Sequence, residues 1–478
     1  MKITPLFSKF RWKGISFLTI ILVQTAFTAC APVTSVNHKV VSAVQPKDKQ
    51  ALKPDPASGK YTPGLKFNTN FIPKADDPFR PFYDLSFTLR FQDQASLAFG
   101  TGWLIDWKDH NSQDKFTAYL ATNLHVANSL RNVNDYDPFK YRPSYFDLEA
   151  PTESFALGKF VDAIEVKQMA LDAFSESSMV SIATSQLPKT AYTATSFIES
   201  EYYSFPYLFN DQKYYWDYFD YKIPAADFAV LELELDLNNQ QDQQIKDHFI
   251  DPAIKAYKQL GDSTGLFATK PLTEYQNDTH YLLGYPVVPT DHTQLWECKQ
   301  GAERFSYGYF YSNMARLTKN LRQGDPNAGS KTHIEYSNEL LDKDSMDQGI
   351  VRFSTFLGAN INYHDYDYRQ QGYGLTLTDT NLPGGSSGSL VFNQDKKISS
   401  IYSAATESDS VGYAQLLRTP RDVNGISVVS QSYDLIFGDS NTKRYYAMFA
   451  KKQQTHLYSE ILKSTDEQYR YVVDKQFN

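Results

Sequence analysis

Short apolar runs, separated by polar turns that often contain glycine or proline, dominate the chain between residues 80 and 440. Runs this short are typical of β-strands. Two longer segments, Asp242 to Gln259 and Thr442 to Lys463, have helical character instead. The predicted strands are Tyr83 to Phe91, Gly102 to Trp107, Phe116 to Leu124, Phe228 to Leu235, His280 to Val287, Gly374 to Thr378, Ser389 to Phe392 and Ile398 to Tyr402. The pattern therefore predicts a mainly β protein.

The first 29 residues have the pattern of a secretory signal peptide. Four basic residues and no acidic ones precede an apolar stretch from about Ile15 to Phe27. This stretch is shorter than the roughly 20 residues of a membrane-spanning helix. Phe27-Thr28-Ala29-Cys30 resembles a lipobox, so we expect cleavage before Cys30, lipid on its sulfur and attachment to the outer face of the cell membrane. A signal anchor, or an ordinary cleavage site with Cys30 incidental, stays an alternative.

The composition after the leader divides the chain further. Residues 30–78 hold several prolines among polar residues without periodicity, which predicts an extended or disordered tether behind the lipidated cysteine. We expect one large domain over 79–440, with insertions at about 140–222 and 236–280, and a helical segment over 441–478.

Three distant segments carry the residue types of a catalytic triad, each in a suitable local setting. They are Thr122-Asn123-Leu124-His125-Val126, Asp227-Phe228-Ala229-Val230-Leu231 and Pro383-Gly384-Gly385-Ser386-Ser387-Gly388-Ser389. Their order of His, Asp and Ser is that of chymotrypsin-like enzymes and differs from the orders in subtilisins and α/β-hydrolases. The order favours acyl transfer as the chemistry.

The glycines around Ser387 are what a nucleophile turn needs. A reactive hydroxyl must stand on a tight turn whose N–H groups converge on the developing oxyanion, and side chains would obstruct that turn. We predict that the N–H groups of Gly385 and Ser387 form the oxyanion hole. Taken alone, the Gly/Ser run is equally typical of a flexible linker.

The settings of His125 and Asp227 decide between these interpretations. His125 follows the apolar strand 116–122, and none of the other eight histidines follows such a strand. Asp227 stands at the start of the run Phe228 to Leu235, where an acid is more often an exposed turn residue. A triad, however, needs an orienting carboxylate for the imidazole at this point in the order.

Together the three blocks resemble those of trypsin-like serine peptidases, particularly the bacterial heat-shock and glutamyl types. Further blocks match in order: Phe99 to Ile105, Leu282 to Pro286 and Tyr433 to Gly438. With the lipoprotein leader, the chain is similar to the mycoplasmal lipoproteins of the immunoglobulin protease family. This resemblance implies a chymotrypsin/trypsin-like double β-barrel. It also implies that some relatives cleave antibody heavy chains with the help of a separate antibody-capturing partner.

Two departures from the family pattern carry expectations. The intervals between the blocks are longer than in a minimal trypsin-like domain, so large insertions are expected. Digestive members have an acid directly before the serine, which pairs with a newly formed N-terminus, but Ser386 stands at that position and cannot form the ion pair. We therefore expect activity without zymogen cleavage, or activation by a bound partner.

Charge and cysteine content narrow the classes of partner. Removal of the four positive charges of the leader takes the formal net charge from −8 to −12, which gives the chain no electrostatic affinity for nucleic acid. Membrane attachment would then depend on the lipid. With Cys30 acylated, the second cysteine, Cys298, has no intramolecular partner, and its surroundings lack a catalytic signature.

We expect neither a metal nor another cofactor. His364, Asp365 and Asp367 are close in sequence, but a polar, tyrosine-rich loop explains them as well as a metal site does. The substrate pocket is expected to involve Asn381, Ser403 and Ala404. Because Asn381 is not an acid, a strict preference for substrates with Lys or Arg before the scissile bond is disfavoured.

The aromatic-rich segment 202–221 supports either protein recognition or packing onto the body. It also keeps a second function class open. A catalytically inactive peptidase-like lipoprotein would serve as a surface adhesin or immunoglobulin-binding module, since a fold does not determine function.

Overall fold

The fold is taken from a computed structural model of the chain. The described residues are 75–76, 80–94, 96–108, 113–143, 150–162, 177–198, 223–270, 279–285, 287–289, 305–307, 310–316, 350–353, 360–364, 366–378, 384–405, 411–419, 432–466, 468–469 and 472.

The described part is mainly β. Its strands are β1 Ser86–Gln92, β2 Leu97–Lys108, β3 Lys115–Thr122, β4 Ser154–Asp162, β5 Ser177–Ala183, β6 Lys189–Thr195, β7 Ile223–Asp236, β8 Thr279–Gly284, β9 Val287–Pro289, β10 Phe305–Tyr307, β11 Phe310–Arg316, β12 Ile350–Phe353, β13 Asn360–Tyr363, β14 Tyr366–Gln370, β15 Gly372–Thr378, β16 Leu390–Phe392, β17 Ile398–Ala405 and β18 Val411–Leu416. Its helices are α1 Arg80–Leu85, α2 Leu124–Ala127, α3 Gln240–Ile245, a π-helical turn Lys246–Ile250, α4 Asp251–Leu260, α5 Ser263–Leu266, α6 Tyr446–Gln453 and α7 His456–Lys463.

The first sheet has nine strands and carries two of the three candidate catalytic blocks. Its order is β13-β14-β7-β3-β2-β1-β4-β5, with β6 also paired to β7. Neighbouring pairs are antiparallel except β14 with β7, which is parallel. Strand β3 is paired to β7 along its whole length, from Lys115 opposite Asp236 to Thr122 opposite Ala229. The end of β3 therefore lies beside the middle of β7.

The second sheet has seven strands and carries the serine block. Its order is β11-β8-β16-β17-β18-β15-β12, and every pairing in it is antiparallel. The short strand β16, which follows Ser387, lies between β8 and β17. Strands β9 and β10 form a separate two-stranded sheet.

One apolar core is continuous through both sheets. Helix α1 contributes to the contact, because the ring of Phe82 stacks on that of Phe392 of β16 with 3.7 Å between centroids. The ring centroid of Phe267 lies 6.5 Å from that of Trp103 of β2 and 5.7 Å from that of Phe437. These large side chains are almost completely buried. Burial of aromatic surface on this scale is a main source of folding free energy.

The two C-terminal helices are tied to the first sheet by Asp106. This carboxylate lies at a β-bulge of β2 and is 1% exposed. It accepts hydrogen bonds from Leu457 N at 2.9 Å, at the start of α7, and from the hydroxyl of Tyr446 at 3.1 Å, at the start of α6. The His456 ring also stacks on Trp107, with 3.9 Å between centroids.

The structure confirms most of the predicted strands and corrects their ends. The predicted strand Tyr83 to Phe91 begins as a helix, because Ser86 Oγ donates to Phe82 O and Arg80 pairs with Asp84 one turn apart. Strand β3 ends at Thr122, and the predicted His280 to Val287 strand is divided between β8 and β9. The predicted C-terminal helix is two helices, separated at Gln454 in the left-handed region.

The division into a domain with insertions needs one change. Strands β4, β5 and β6 fall within the region 140–222, yet they pair with β1, β4 and β7 of the first sheet. Their apolar side chains, such as Phe155 and Leu157, are part of the common core. This part of the region is therefore integral to the sheet. Region 236–280 does carry the predicted helical segment, as α3, the π-helical turn and α4.

Among the described residues, no helix combines the length and apolar character required to cross a membrane. The leader with Cys30, the tether up to residue 74, the aromatic segment 202–221 and Cys298 lie outside the described residues.

The buried ion pair between Arg418 and Asp434 provides a test of the second half of the fold. Arg418 Nε lies 2.7 Å from Asp434 Oδ2, and both side chains are more than 90% buried. We expect Arg418→Met to lower the free energy of unfolding by about 3–5 kcal/mol, because it leaves Asp434 as an uncompensated buried charge. The matched control is Arg142→Met, which breaks an exposed pair with Asp137 and should change stability by less than about 1 kcal/mol. Equal urea midpoints for the two variants would contradict this role.

Asp106 makes stability depend on pH. Burial raises the pKa of its carboxyl from 3.8 to about 7, against the opposing effect of its hydrogen bonds. Because the folded-state pKa is above the unfolded one, the protonated form is favoured on folding. The contribution of the protonated Asp106 carboxyl to the free energy of unfolding is complete below pH 4 and is lost as the pH rises towards 7. Wild type should therefore lose stability relative to Asp106→Asn between pH 4.5 and 7.5 in urea titrations. A pH-independent difference between the two would refute the assignment.

Candidate active site

His125 and Asp227 are held together by two hydrogen bonds. His125 Nδ1 lies 2.7 Å from Asp227 Oδ2, and the backbone N–H of His125 donates to Asp227 Oδ1 at 3.1 Å. A carboxylate only accepts, so Nδ1 carries the proton and, in the neutral imidazole, Nε2 is the basic nitrogen. The side chains are 9% and 5% exposed. This geometry fixes both the tautomer and the orientation of the ring.

Local structure explains why these two residues meet. His125 lies in the single-turn helix α2, which starts two residues after β3 ends at Thr122. Thr122 is paired with Ala229 of β7, so Asp227 is close to the start of α2. Asn123, between strand and helix, donates from Nδ2 to the carbonyl oxygen of Asp227 at 2.7 Å. The histidine segment thus holds both the backbone and the side chain of Asp227.

Asp227 lies inside a strand, whereas the sequence pattern places it at a strand entrance. Strand β7 begins at Ile223, because its first residues pair with β14 and β6. The alternation that reveals a strand is hidden in Ile223 to Ala226, which contain no polar side chain. The carboxylate is buried as a result and is not an exposed turn residue.

The serine segment forms a buried turn ahead of β16. Gly388 N donates to Tyr402 O at 2.9 Å, and Ser389 N donates to Ser386 O at 3.0 Å. Gly385 and Gly388 have φ values of 92° and 94°, in the left-handed region that side chains disfavour. A flexible linker would have none of this burial or bonding, so the linker interpretation is wrong.

Gly388 is required for a second reason, its close approach to the first sheet. A Cβ atom at this position would overlap the carbonyl oxygen of Thr101 in β2 and would lie 2.6 Å from Thr122 Oγ1 in β3. The turn that carries Ser387 is therefore packed directly on the strands that lead to His125.

The hydroxyl of Ser387 faces the neighbouring strand β17. Its Oγ donates to the carbonyl oxygen of Ser403 at 3.4 Å, a long hydrogen bond. Ser403 itself is buried and its hydroxyl donates to Tyr413 O at 3.2 Å, while Ala404 is half-buried. The structure therefore brings Ser403 next to the candidate nucleophile. Asn381 lies outside the described residues.

Thr101 connects the two sheets at this site. Its N–H donates to Ser387 O at 2.8 Å, and its hydroxyl donates to Gly385 O at 3.0 Å. Sequence reasoning noted the block Phe99 to Ile105 but assigned Thr101 no role. A threonine in a strand is ordinary, so no local pattern marks it.

Of the residues considered for a metal site, His364 is the one whose side chain is described, and it contacts protein groups. His364 Nε2 lies 3.0 Å from Leu130 O, and its ring stacks on Tyr363. Its backbone N–H donates to Asn128 Oδ1 at 2.9 Å, which attaches the β13–β14 hairpin to the residues after α2. Asp365 lies outside the described residues, as does the side chain of Asp367. In the parts of the chain with described side chains, no cluster of three or more His, Cys, Asp or Glu suits a metal ion.

Comparisons with known proteins agree on one family. The model of a family described as Mycoplasma immunoglobulin protease matches residues 76–404. An uncharacterized lipoprotein of Mycoplasma pneumoniae is 44% identical over 98% of this chain and 98% of its own length. An uncharacterized lipoprotein of Mycoplasma genitalium is 38% identical over 97% of this chain and 96% of its own.

Solved structures give a more distant likeness. A structure described as that of the mycoplasma MIB and MIP proteins is 16% identical, with a TM-score of 0.47. It covers 78% of this chain, which spans 61% of that solved chain. A thermostable serine protease is 12% identical, with a TM-score of 0.27, over 70% of this chain and 92% of its own.

Replacement of Gly388 tests the geometry of the serine turn. We expect Gly388→Ala to displace the turn, because the new Cβ overlaps Thr101 O and the φ of 94° is strained for alanine. Reaction of Ser387 with an active-site-directed fluorophosphonate should fall at least about 100-fold, as expected when a catalytic group is misplaced by an ångström. The matched control is Gly265→Ala in α5, whose Cβ meets only Asp262 Oδ1, at 3.3 Å. Equal reaction rates in both variants would contradict the close packing of the turn.

Proposed function

Because the chain belongs to the Mycoplasma immunoglobulin protease family, we propose that it is a cell-surface lipoprotein that acts as a serine endopeptidase. Ser387 is the nucleophile, His125 the general base and Asp227 the residue that orients the base. The family description and the lipoprotein relatives support the class of protein. The residue roles are supported by the geometry of the site.

The observation that carries the proposal is the pair of hydrogen bonds from His125 to Asp227, next to a serine on a constrained glycine turn. An imidazole whose Nδ1–H is bound by a buried carboxylate presents Nε2 as a base. Structural histidines also bond to carboxylates, but here the helix of His125 packs beside the strands that contact the serine turn. Together these features fit the geometric roles expected of a base, its orienting group and a nucleophile in an acyl-transfer site.

The proposed mechanism uses only groups of this chain. Ser387 Oγ attacks the scissile carbonyl carbon while His125 Nε2 takes its proton, and the N–H groups of Gly385 and Ser387 donate to the oxyanion. His125 then protonates the leaving amine, and the peptide bond breaks to give an acyl-enzyme. Water, deprotonated by His125, hydrolyses the ester and restores Ser387. The Asp227 carboxylate stabilises the imidazolium in both halves of the reaction.

The proposed substrate is protein, and host immunoglobulin heavy chain is the first to test. The support is the printed family description, Mycoplasma immunoglobulin protease. A separate antibody-binding surface protein would present the substrate, and the lipid on Cys30 would hold the enzyme at the outer face of the membrane. Ser403 and Ala404, with Asn381, are proposed to line the pocket for the residue before the scissile bond. The buried position of Ser403 beside Ser387 supports this assignment.

The proposal is tested without a guess at the substrate. The chain from residue 31 onwards should react with a fluorophosphonate at Ser387, identified by mass spectrometry. Reaction should be lost in Ser387→Ala and fall by about 10⁶-fold in His125→Ala, whereas Asp227→Ala should lower it by about 10⁴-fold. Ser399→Ala removes another buried serine hydroxyl, bonded to Val391 O, and should react like wild type.

Three outcomes distinguish the candidate functions and the mode of activation. Labelling at Ser387 that disappears in His125→Ala supports a peptidase and justifies incubation with immunoglobulin, where heavy-chain fragments are the expected product. No labelling, with or without immunoglobulin, together with retention of antibody on the immobilised chain, would instead favour an inactive peptidase-like adhesin or immunoglobulin-binding module. Labelling only when antibody is present would indicate activation by a bound partner.

A further inference from the structure

Thr101 contacts the serine turn through both its backbone and its side chain. Its N–H donates to Ser387 O at 2.8 Å, and its hydroxyl donates to Gly385 O at 3.0 Å. The same hydroxyl accepts from Tyr285 N at 3.0 Å, just after β8. Thr101 is completely buried, so water does not substitute for these bonds. One residue of the first sheet thus binds two carbonyl groups of the turn.

The two anchored carbonyl groups belong to the two residues whose N–H groups form the proposed oxyanion hole. Within a residue, the N–H and C=O directions are linked only by φ and ψ, and each peptide unit is planar. Fixing the carbonyls of Gly385 and Ser387 therefore limits where their N–H groups point. An oxyanion hole depends on such preorganisation, since its donors must already face the developing charge.

Thr101 is in turn held by the strand that leads to His125. Thr122 Oγ1, at the end of β3, donates to Thr101 O at 2.7 Å. The hydroxyl of Thr101 has one proton, which is directed to Gly385 by the N–H that Tyr285 donates. The polar atoms of Thr101 therefore have defined partners that connect the end of β3, the serine turn and the end of β8.

The residue directly before the nucleophile does not provide this anchorage. Ser386 is completely buried, and its hydroxyl has no hydrogen-bond partner among the described residues. A Cβ added at Gly284 would lie 3.1 Å from the Cβ of Ser386, so Ser386 packs closely on the end of β8. The carbonyl groups of Gly385 and Ser387 are anchored instead by Thr101, on a different sheet.

We propose that the Thr101 hydroxyl is a positioning group that holds the oxyanion-hole residue Gly385 in its active arrangement without a charged partner, beside the backbone bond from Thr101 N–H to Ser387 O. This inference rests on the proposed function. It identifies the interaction that replaces an activation ion pair, and it assigns a role in turnover to a residue that does not itself touch the substrate.

The test compares the fluorophosphonate reaction rates of three variants at one position. Thr101→Val keeps the shape but removes the hydroxyl, so the rate should fall about 10- to 100-fold, somewhat less than for complete loss of an oxyanion donor. Thr101→Ser keeps the hydroxyl and should react within about threefold of wild type. Thr101→Cys has a weaker donor and should fall between them.

Thr88→Val is the matched control. Thr88 is buried on β1 directly opposite Thr101, and its hydroxyl contacts Gly100 O at 3.4 Å. It should react within about threefold of wild type. The pH of half-maximal reaction should be the same in Thr101→Val as in wild type, because the His125–Asp227 pair is untouched. A purely structural defect that disturbed the triad would shift this pH as well as lower the plateau.

The outcomes distinguish the inference from the function on which it rests. If wild type labels at Ser387 and Thr101→Val labels equally fast, the inference is wrong and the peptidase proposal stands. A Thr101→Ser rate as low as that of Thr101→Val would also refute it, since the hydroxyl would not be the important group. If Thr101→Val does not fold, a wild-type rate for Thr101→Cys refutes it. No labelling of wild type, with or without immunoglobulin, refutes the peptidase proposal and this inference together.

Discussion

The contact between the serine turn and strand β2 is the constraint on which the candidate site depends. The proposed nucleophile is on the second sheet and its proposed base is on the first, so the proposed chemistry requires the two sheets to be fixed to within a fraction of an ångström. Gly388 permits the approach because it has no Cβ, and Thr101 then binds the turn through its N–H and its hydroxyl. A larger residue at 388 would separate the sheets at this point.

Packing elsewhere in the core holds the two strands of this contact, β2 and β16, in place. Phe82 and Phe392 stack where α1 meets β16, and Asp106 fixes both C-terminal helices to the same strand that carries Thr101. Rigid packing of this kind is what allows a few hydrogen bonds to define a geometry. The buried Arg418–Asp434 pair plays a similar part in the second half, where Asp434 also accepts from the backbone of Ile436 and Phe437. The geometry of the candidate site therefore depends on packing throughout both sheets and the C-terminal helices.

Family membership and geometry contribute different parts of the functional argument. The relatives identify a mycoplasmal lipoprotein family with a protease description, and their names assign no activity to them. The arrangement of His125, Asp227 and the Ser387 turn supplies the chemical reason to propose hydrolysis. Immunoglobulin as the substrate comes from the family description alone, so the nucleophile and the substrate are tested by separate experiments.

The sequence by itself determined the β-rich class and most of the strands, because local periodicity indicates them. It also determined the three blocks with His125, Asp227 and Ser387, because these contain residue types with distinctive chemistry. The pattern wrongly predicts Asp227 at the start of a strand, because hydrophobic alternation does not show the pairing of Ile223 to Ala225 with β14. It also wrongly predicts a strand at Tyr83, because alternation does not show the hydrogen bond from Ser86 Oγ to Phe82 O. Only the tertiary structure decided that strands within 140–222 complete the first sheet, and that Thr101 anchors the serine turn. Both depend on contacts between residues far apart in sequence, which a local pattern does not encode.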